Sequence, residues 1–197
     1  PLPFHYAPLE WGKTDIGRYP LSALTQRPMA MYHSWDSQNA WLRQIHTHNY
    51  IMVHPSVGDA NGFGDGDWVW VESPWGKVRC MARFTEAVEP GTVWTWNAIG
   101  KASGAWGLDG DANESRLGFL LNHLISEELP AMVGDRHVSN SDPVTGQAAW
   151  YDVRVRITAA GADEAKESYP QFPTLGQLPG QTGFGARLRA FFAGARR

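Results

Sequence analysis

Cysteine is almost absent from this chain of 197 residues, which contains only Cys80. A disulfide framework, a cysteine-based zinc ribbon and an iron–sulfur cluster each need several cysteine sulfurs. One cysteine therefore excludes all three as features held by this chain alone. Any redox chemistry in which the chain takes part has to be carried out by a bound group.

Long hydrophobic runs and an excess of positive charge are also lacking. No apolar run approaches the roughly 20 residues that a transmembrane helix needs. The net charge is -3 with a pI near 6.2, so the composition predicts no basic surface for phosphates and no nucleic-acid partner. The chain begins at Pro1 and not at a methionine, and we expect the natural N-terminus to lie upstream, which leaves targeting open.

Motifs typical of metal sites and hydrolases are weak. His46, His48 and His54 lie close together, but they lack the regular spacing and the additional ligands that complete a zinc site. A hydrolase is disfavoured because no G-x-S-x-G motif is present and Asp36 lies too close to His33 in sequence to orient it as a base.

The clearest structural signal is a β-hairpin between Asn61 and Phe84. Glycine and aspartate turn formers precede Trp68–Glu72, a second turn follows, and Lys77–Phe84 alternates between apolar and polar residues. Because these glycines lead into a strand and not into a helix, they do not predict a phosphate-binding loop. Thr92–Trp96 predicts a third strand, and the three strands together predict a β-meander.

Other segments complete a mainly β pattern. Strands are predicted at Tyr19–Thr25, buried on both faces, at Tyr50–His54 and at Tyr151–Ile157. Short helical segments are predicted at Ser37–His46, capped by the serine, and at Pro55–Ala60. About six short strands with few helices predict a β-barrel, because closure removes exposed strand edges.

The remaining segments complete the predicted division of the chain into an arm, a barrel and a tail. Asn97–Asn113 is rich in Gly, Ala and Asp and predicts a long loop, while Arg116–Glu128 predicts either a buried helix or a covered loop with helical turns. Ser139–Gly146 predicts a turn. We predict an extended N-terminal arm at 1–18, a barrel at 19–158 and a C-terminal tail at 159–197.

Polar residues at the predicted strand ends form the candidate site. Taken singly, Asn122 is typical of a buried cap and Arg27 of a surface ion pair. Taken together, such residues are typical of a barrel mouth that binds a large polar ligand, since Arg can fork a phosphate and amides can pair with a purine or pterin edge. The residues are Thr25, Gln26, Arg27, His33, Ser34, Asp36, Gln38, Asn97, Asn122 and Gln147.

An ordered series of short segments also carries a family resemblance. The segments are YPL at 19–21, LTQR at 24–27, YHS at 32–34, GDGDWV at 64–69, PGTV at 90–93, NHL at 122–124 and DPVTG at 142–146. The series, from about Tyr19 to Ile157, resembles the C-terminal dinucleotide-binding domain of the dimethyl sulfoxide reductase family of molybdenum enzymes. The NHLIS segment, the DPVTGQAAWYDVRVRI segment and the proline-rich tail are most similar to large subunits of the sulfite dehydrogenase, polysulfide reductase and thiosulfate reductase type.

The resemblance implies a six-stranded double-psi-type β-barrel that covers one face of bis(molybdopterin guanine dinucleotide) loaded with molybdenum or tungsten. In the family, the metal's protein ligand and the cysteines of an iron–sulfur cluster belong to earlier domains. Gln26 stands where the family often has glycine. The implied cofactor-binding residues are Thr25, Gln26, Arg27, Pro28, Met31, His33, Ser34, Asn97, Asn122 and Gln147.

The resemblance further implies that the chain is part of a catalytic subunit that oxidises or reduces a small sulfur compound such as sulfite, polysulfide or thiosulfate. The implied partners are the remainder of the large subunit, an iron–sulfur electron-transfer subunit and a membrane anchor subunit. On that basis we expect a cytoplasmic location at the membrane.

The alternative is a small β-barrel module that binds carbohydrate or a protein partner through tryptophan. The chain has 10 tryptophans, and aromatic side chains dominate many interfaces, although most are simply core. The predicted platform consists of Trp68, Trp70, Trp75, Trp94, Trp96 and Trp106.

Overall fold

The computed structural model describes residues 8–33, 35–36, 39–46, 48–97, 99, 109, 117–148, 153–168 and 170–172. Its elements are β1 (Leu21–Gln26), α1 (Ala40–Arg43), β2 (Tyr50–Val53), α2 (Pro55–Asn61), β3 (Trp68–Ser73), β4 (Gly76–Phe84), β5 (Thr92–Trp96), a 3₁₀ helix (Leu121–Leu124), β6 (Glu128–Val133), β7 (Arg136–Ser139) and β8 (Val153–Ala159). None of the helices within these ranges is long and apolar enough to cross a bilayer.

Six strands close into a barrel in the order β1-β5-β2-β4-β3-β8. The pairs β1–β5 and β2–β4 are parallel, and the other pairs are antiparallel. The predicted six-stranded double-psi-type barrel is confirmed. The predicted meander is wrong, because β2 occupies the second edge of β4 and β5 pairs instead with β1 and β2.

The barrel core comes from alternate residues of each strand. Val69, Val71, Val78 and Ala82 are fully buried, which confirms the predicted inner face of the hairpin, but Trp70 and Arg79 on its outer face are buried as well. Strand β1 buries only alternate residues, so the prediction that it is buried on both faces is wrong. A strand in a barrel wall has one face inside and one outside, and packing inside accounts for this pattern.

The helices are short. Helix α1 covers only Ala40–Arg43, its N-cap is Asn39, whose Oδ1 accepts from Trp41 N at 3.0 Å, and none of its residues is buried. The short amphipathic helix predicted within Ser37–His46 is present only over Ala40–Arg43 and buries no apolar face, and its predicted cap lies outside the described residues. Helix α2 confirms the other predicted helical segment.

Helix α2 packs closely on β4 through Gly58. A Cβ atom at Gly58 would lie 2.1 Å from Phe84 Cζ and 2.6 Å from the Phe63 carbonyl oxygen. Glycine is required here because any side chain would overlap the phenylalanine ring.

The segment before β6 takes the second of its two predicted forms, a covered loop with a helical turn. Leu121 and Leu124 of the 3₁₀ helix are buried. The β6–β7 hairpin was not predicted. Gly134, with a φ of 64°, makes its turn, and the pair forms a separate two-stranded sheet.

The N-terminal segment is not extended where the structure describes it. Residues 8–18 form successive turns, because Glu10 and Asp15 carbonyl groups accept local backbone bonds. The Glu10 carboxylate accepts from Arg154 N at 2.6 Å and ties these turns to β8. Residues 1–7, 173–197 and nearly all of the predicted loop at 97–113 lie outside the described residues, and the three domain boundaries stay predictions.

Candidate functional site

One end of the barrel gathers the predicted site. The strand directions place the C-terminal ends of β1, β3 and β5 beside the N-terminal ends of β2, β4 and β8. We call this end the rim. It comprises the residues that follow β1 and β5, the β3–β4 turn and the residues that precede β2 and β8.

The loops after β1 and β5 meet at the rim. Asn97 N donates to the Gln26 carbonyl oxygen at 2.7 Å, which extends the parallel pairing beyond the strands. Asn97 Nδ2 lies 3.1 Å from His33 Nδ1. An amide nitrogen only donates, so Nδ1 accepts and a neutral His33 carries its proton on Nε2. The ring is then a hydrogen-bond donor at an exposed position of the rim.

The loop after β1 has a constrained backbone. His33 has a φ of 53°, the left-handed region that non-glycine residues rarely adopt. Asp36 Oδ2 accepts from Tyr32 N at 3.0 Å and closes the turn. The Arg27 guanidinium lies 5.6 Å from the centre of the Tyr32 ring. The charge of Arg27 therefore lies beside Tyr32, the residue that precedes His33.

The rim has unmet hydrogen-bonding capacity that suits a large polar ligand. Thr25 Oγ1 and Asn97 Oδ1 are buried and have no hydrogen-bond partner. Buried polar atoms are nearly always paired in folded proteins. These two atoms, together with the Arg27 charge, fit a ligand that carries both amide-like edges and phosphates.

Two predicted residues have mainly a packing role. Met31 is 2% exposed and Pro28 is buried. Their side chains support the loop from inside, so a contact with a ligand is left to their backbone atoms. Ser34 and Gln38, which were also predicted, lie outside the described residues.

Sequence reasoning missed Asn49, which joins two parts of the rim. This amide is 1% exposed, and its Nδ2 donates to the Trp96 carbonyl oxygen at 2.7 Å and to the Phe119 carbonyl oxygen at 2.9 Å. It therefore fastens the end of β5 to the segment that leads into the 3₁₀ helix. A single polar residue before a strand gives no sequence signal of such long-range bonds.

Asn122 and Gln147 belong to a second group at the rim. Ser73 Oγ, at the end of β3, donates to the Leu124 carbonyl oxygen at 2.8 Å and places the 3₁₀ helix there. A cavity of about 390 Å³ adjoins the helix and the turn before β8. Its lining consists of Asn122, Ile125, Ser126, Glu127, Asn140, Ser141 and Ala148.

Asn140 is a further cavity residue that sequence reasoning missed. It is 4% exposed, its Nδ2 donates to the Ser126 carbonyl oxygen at 3.3 Å, and its Oδ1 has no hydrogen-bond partner. Gln147 does not line the cavity, but its carbonyl oxygen accepts from Asp142 N at 2.7 Å in the adjoining turn. Bonds from Thr145 and Val144 to the Asp142 carboxylate stabilise this turn and lower the pKa of Asp142.

The predicted tryptophan platform does not form among the described residues. Trp70 is 8% exposed and lies under Lys77, whose Nζ is 4.2 Å from the ring centre. Trp68, Trp75, Trp94 and Trp96 are half-buried, and Trp106 lies outside the described residues. The tryptophan-module alternative is not supported.

Comparisons with known proteins agree with one another. The family profile described as molydopterin dinucleotide binding domain matches residues 21–133. The chain is 68% identical, over 98% of its length, to the A subunit of sulfite dehydrogenase from Allochromatium vinosum, and covers 20% of that protein. It is 28% identical, over 82% of its length, to the putative catalytic A subunit of dimethyl sulfoxide reductase from Halobacterium salinarum, and covers 16% of it.

The fold also matches a solved structure. Acetylene hydratase from Pelobacter acetylenicus superimposes with a TM-score of 0.58 at 20% identity, covering 81% of this chain and 21% of that one. The chain thus spans about a fifth of the length of these relatives. The family profile and the relatives confirm the resemblance predicted from the sequence.

Proposed function

The chain belongs to the molybdopterin dinucleotide-binding domain family, and on that premise we propose that it is the C-terminal cofactor-binding domain of a molybdenum oxidoreductase catalytic subunit. The observation that carries the proposal is the high identity to the A subunit of sulfite dehydrogenase along almost the whole chain. The ligand is bis(molybdopterin guanine dinucleotide) with molybdenum, a group large enough to reach both groups of rim residues.

The rim residues hold this cofactor, which, when bound, supplies the metal that exchanges electrons with substrate. Arg27 pairs with a phosphate, because its planar guanidinium matches phosphate oxygens. His33 donates through Nε2, and the unpaired Thr25 Oγ1 and Asn97 Oδ1 gain partners. Asn122 and Gln147, in the second group of rim residues, contact another part of the cofactor. The closed barrel behind them excludes water from one face of the site.

We infer the substrate and partners from the same sequence identity to sulfite dehydrogenase. We propose sulfite or another small sulfur compound as substrate. Electrons leave through iron–sulfur centres, first in the remainder of the large subunit, then in an electron-transfer subunit. A membrane anchor subunit, with a cytoplasmic location at the membrane, completes the proposal. The similar sulfite dehydrogenase chain is one subunit of its enzyme, which supports an assembly of several subunits.

The test compares two arginine variants in the full-length catalytic chain. Arg27→Ala removes the rim charge, and we expect the purified protein to retain less pterin and less molybdenum than wild type. Arg83→Ala is the matched control, because the Arg83 guanidinium also lies 5.6 Å from a tyrosine ring, that of Tyr50, but on the outer face of β4. Equal pterin and metal content in the two variants would argue against Arg27 as a cofactor ligand.

A further inference from the structure

After β8 the chain turns back along the outside of the barrel. We call residues 160–168 and 170–172 the strap. The strap begins where Ala160 N donates to the Trp68 carbonyl oxygen at 2.9 Å, and it ends where Lys77 and Gln171 exchange two backbone hydrogen bonds of 2.8 and 2.7 Å. Trp68 begins β3, and Lys77 follows the β3–β4 turn. The strap therefore runs from the opposite end of the barrel to the rim.

The middle of the strap is held by a charged contact. The Glu164 carboxylate accepts from Trp70 Nε1 at 2.9 Å and from an Arg79 guanidinium nitrogen at 3.3 Å. Arg79 is only 7% exposed, so this pair is shielded on the arginine side. The Gly161 N–H, followed by Trp70 and Arg79, lowers the pKa of Glu164. The bonds from Trp70 and Arg79 to Glu164 thus attach the middle of the strap to the barrel wall.

The end of the strap packs where the β3–β4 turn meets the 3₁₀ helix. The Phe172 ring lies edge-on to the His123 ring, with centres 6.4 Å apart. A Cβ atom at Gly76 would lie 2.9 Å from the Gln171 carbonyl oxygen and 3.2 Å from Phe172 Cδ1. The strap thus contacts the helix that carries Asn122, which is the residue next to His123.

We propose that the strap is a positioning element for cofactor binding. Phe172, anchored by the backbone bonds between Gln171 and Lys77, packs on His123 of the 3₁₀ helix, so that Asn122 is already ordered at the rim before the cofactor binds. Neither strap residue touches the cofactor in this proposal, which rests on the proposed function. Ordering a binding residue in advance lowers the entropy cost of binding and slows release of the ligand.

The test measures the rate of pterin release from the full-length, cofactor-loaded catalytic chain. Gly76→Ala displaces the strap, because the new Cβ overlaps the Gln171 carbonyl, and we expect release on the order of fivefold faster. Gly12→Ala is the matched control, since a Cβ at Gly12 meets no atom within 4 Å, and release should stay at the wild-type rate. Phe172→Ala removes the ring without adding atoms and should also speed pterin release. If Gly76→Ala does not fold, the release rate of Phe172→Ala tests the proposal instead.

A double-variant comparison separates positioning from general loosening. If the strap acts through Asn122, Phe172→Ala should add nothing to the release rate of Asn122→Ala, whereas independent effects would multiply. Multiplying effects, or wild-type release from both strap variants, would overturn the positioning role alone. A wild-type protein that holds no pterin would instead overturn the proposed function, and the inference with it.

Discussion

Asn97 and His33, 64 residues apart in sequence, meet at 3.1 Å between Nδ2 and Nδ1. This bond connects the end of β5 to the loop after β1 at His33, whose backbone lies in the left-handed region. The two loops therefore behave as one unit at the rim, and a change in either residue is expected to affect both.

The backbone of His33 gives the first prediction. In His33→Val, the β-branched side chain disfavours the observed φ by about 1–2 kcal/mol, so amide hydrogen exchange in residues 27–33 should accelerate about 5- to 30-fold. In His33→Asn the exchange should change less, because asparagine tolerates this conformation. Mass-spectrometric exchange on the full-length protein measures both. Equal exchange in the two variants would show that the conformation carries no strain.

The buried amide of Asn49 gives the second prediction. Asn49→Leu removes the amide donor to the Phe119 carbonyl oxygen, and an unpaired buried group costs about 1–3 kcal/mol. The Trp96 carbonyl oxygen keeps only the longer bond from Thr95 Oγ1, at 3.4 Å. We expect a clear loss of thermal stability and faster exchange at the end of β5. Asn61→Leu is the control, because Asn61 is exposed and its Nδ2 donates locally, to the Val57 carbonyl oxygen at 2.8 Å. Equal destabilisation by both changes would contradict the role assigned to Asn49.

The pH dependence of stability gives the third prediction. Burial lowers the pKa of His46, His48 and His123 below the usual value of 6.5. Between that value and the lower folded-state pKa values, the unfolded chain binds more protons, so stability is full above about pH 6.5 and falls as the pH decreases. Asp142 and Glu164 also have lowered pKa values, but their contribution is lost only below about pH 4–4.5.

Thermal melts of the full-length protein between about pH 7.5 and pH 5 measure this effect. The midpoint should fall across this range, and His123→Gln should make the fall shallower. A midpoint that rises as the pH falls, or a slope unaffected by His123→Gln, would contradict it.

The lone cysteine gives the fourth prediction. Cys80 is 1% exposed, and burial raises the pKa of its thiol far above the ordinary range. Because the thiolate is the reactive form, iodoacetamide at about pH 8 should label Cys80 only after unfolding. Labelling of the native protein at the rate of a free thiol would show that the barrel opens readily.

The parts of the fold that sequence reasoning predicted correctly are those determined locally. The β3–β4 hairpin and β8 follow from alternating residues, and α2 follows from its proline start. The pairing of β5 was wrong because strand partners depend on closure of the barrel. Arg79 and Arg154 occupy outward positions of their strands yet are buried, because the strap and the N-terminal turns cover them.

The same distinction between local and long-range determinants applies to the candidate site. The loop after β1 and Asn97 meet as predicted from their positions at strand ends, because β1 and β5 are parallel neighbours. The roles of Asn49 and Asn140 were not predicted, because they depend on carbonyl groups from distant segments. A lone asparagine in a sequence carries no signal of such partners.

Hydrogen exchange measured with and without the cofactor shows whether the cofactor binds at the rim. In the full-length protein, loading the cofactor should protect the amides of residues 24–33, 96–97 and 121–124 at the rim. The turn at 62–67, at the opposite end of the barrel, should exchange at the same rate in both states. Protection of that turn, with no change at the rim, would contradict cofactor binding at the rim.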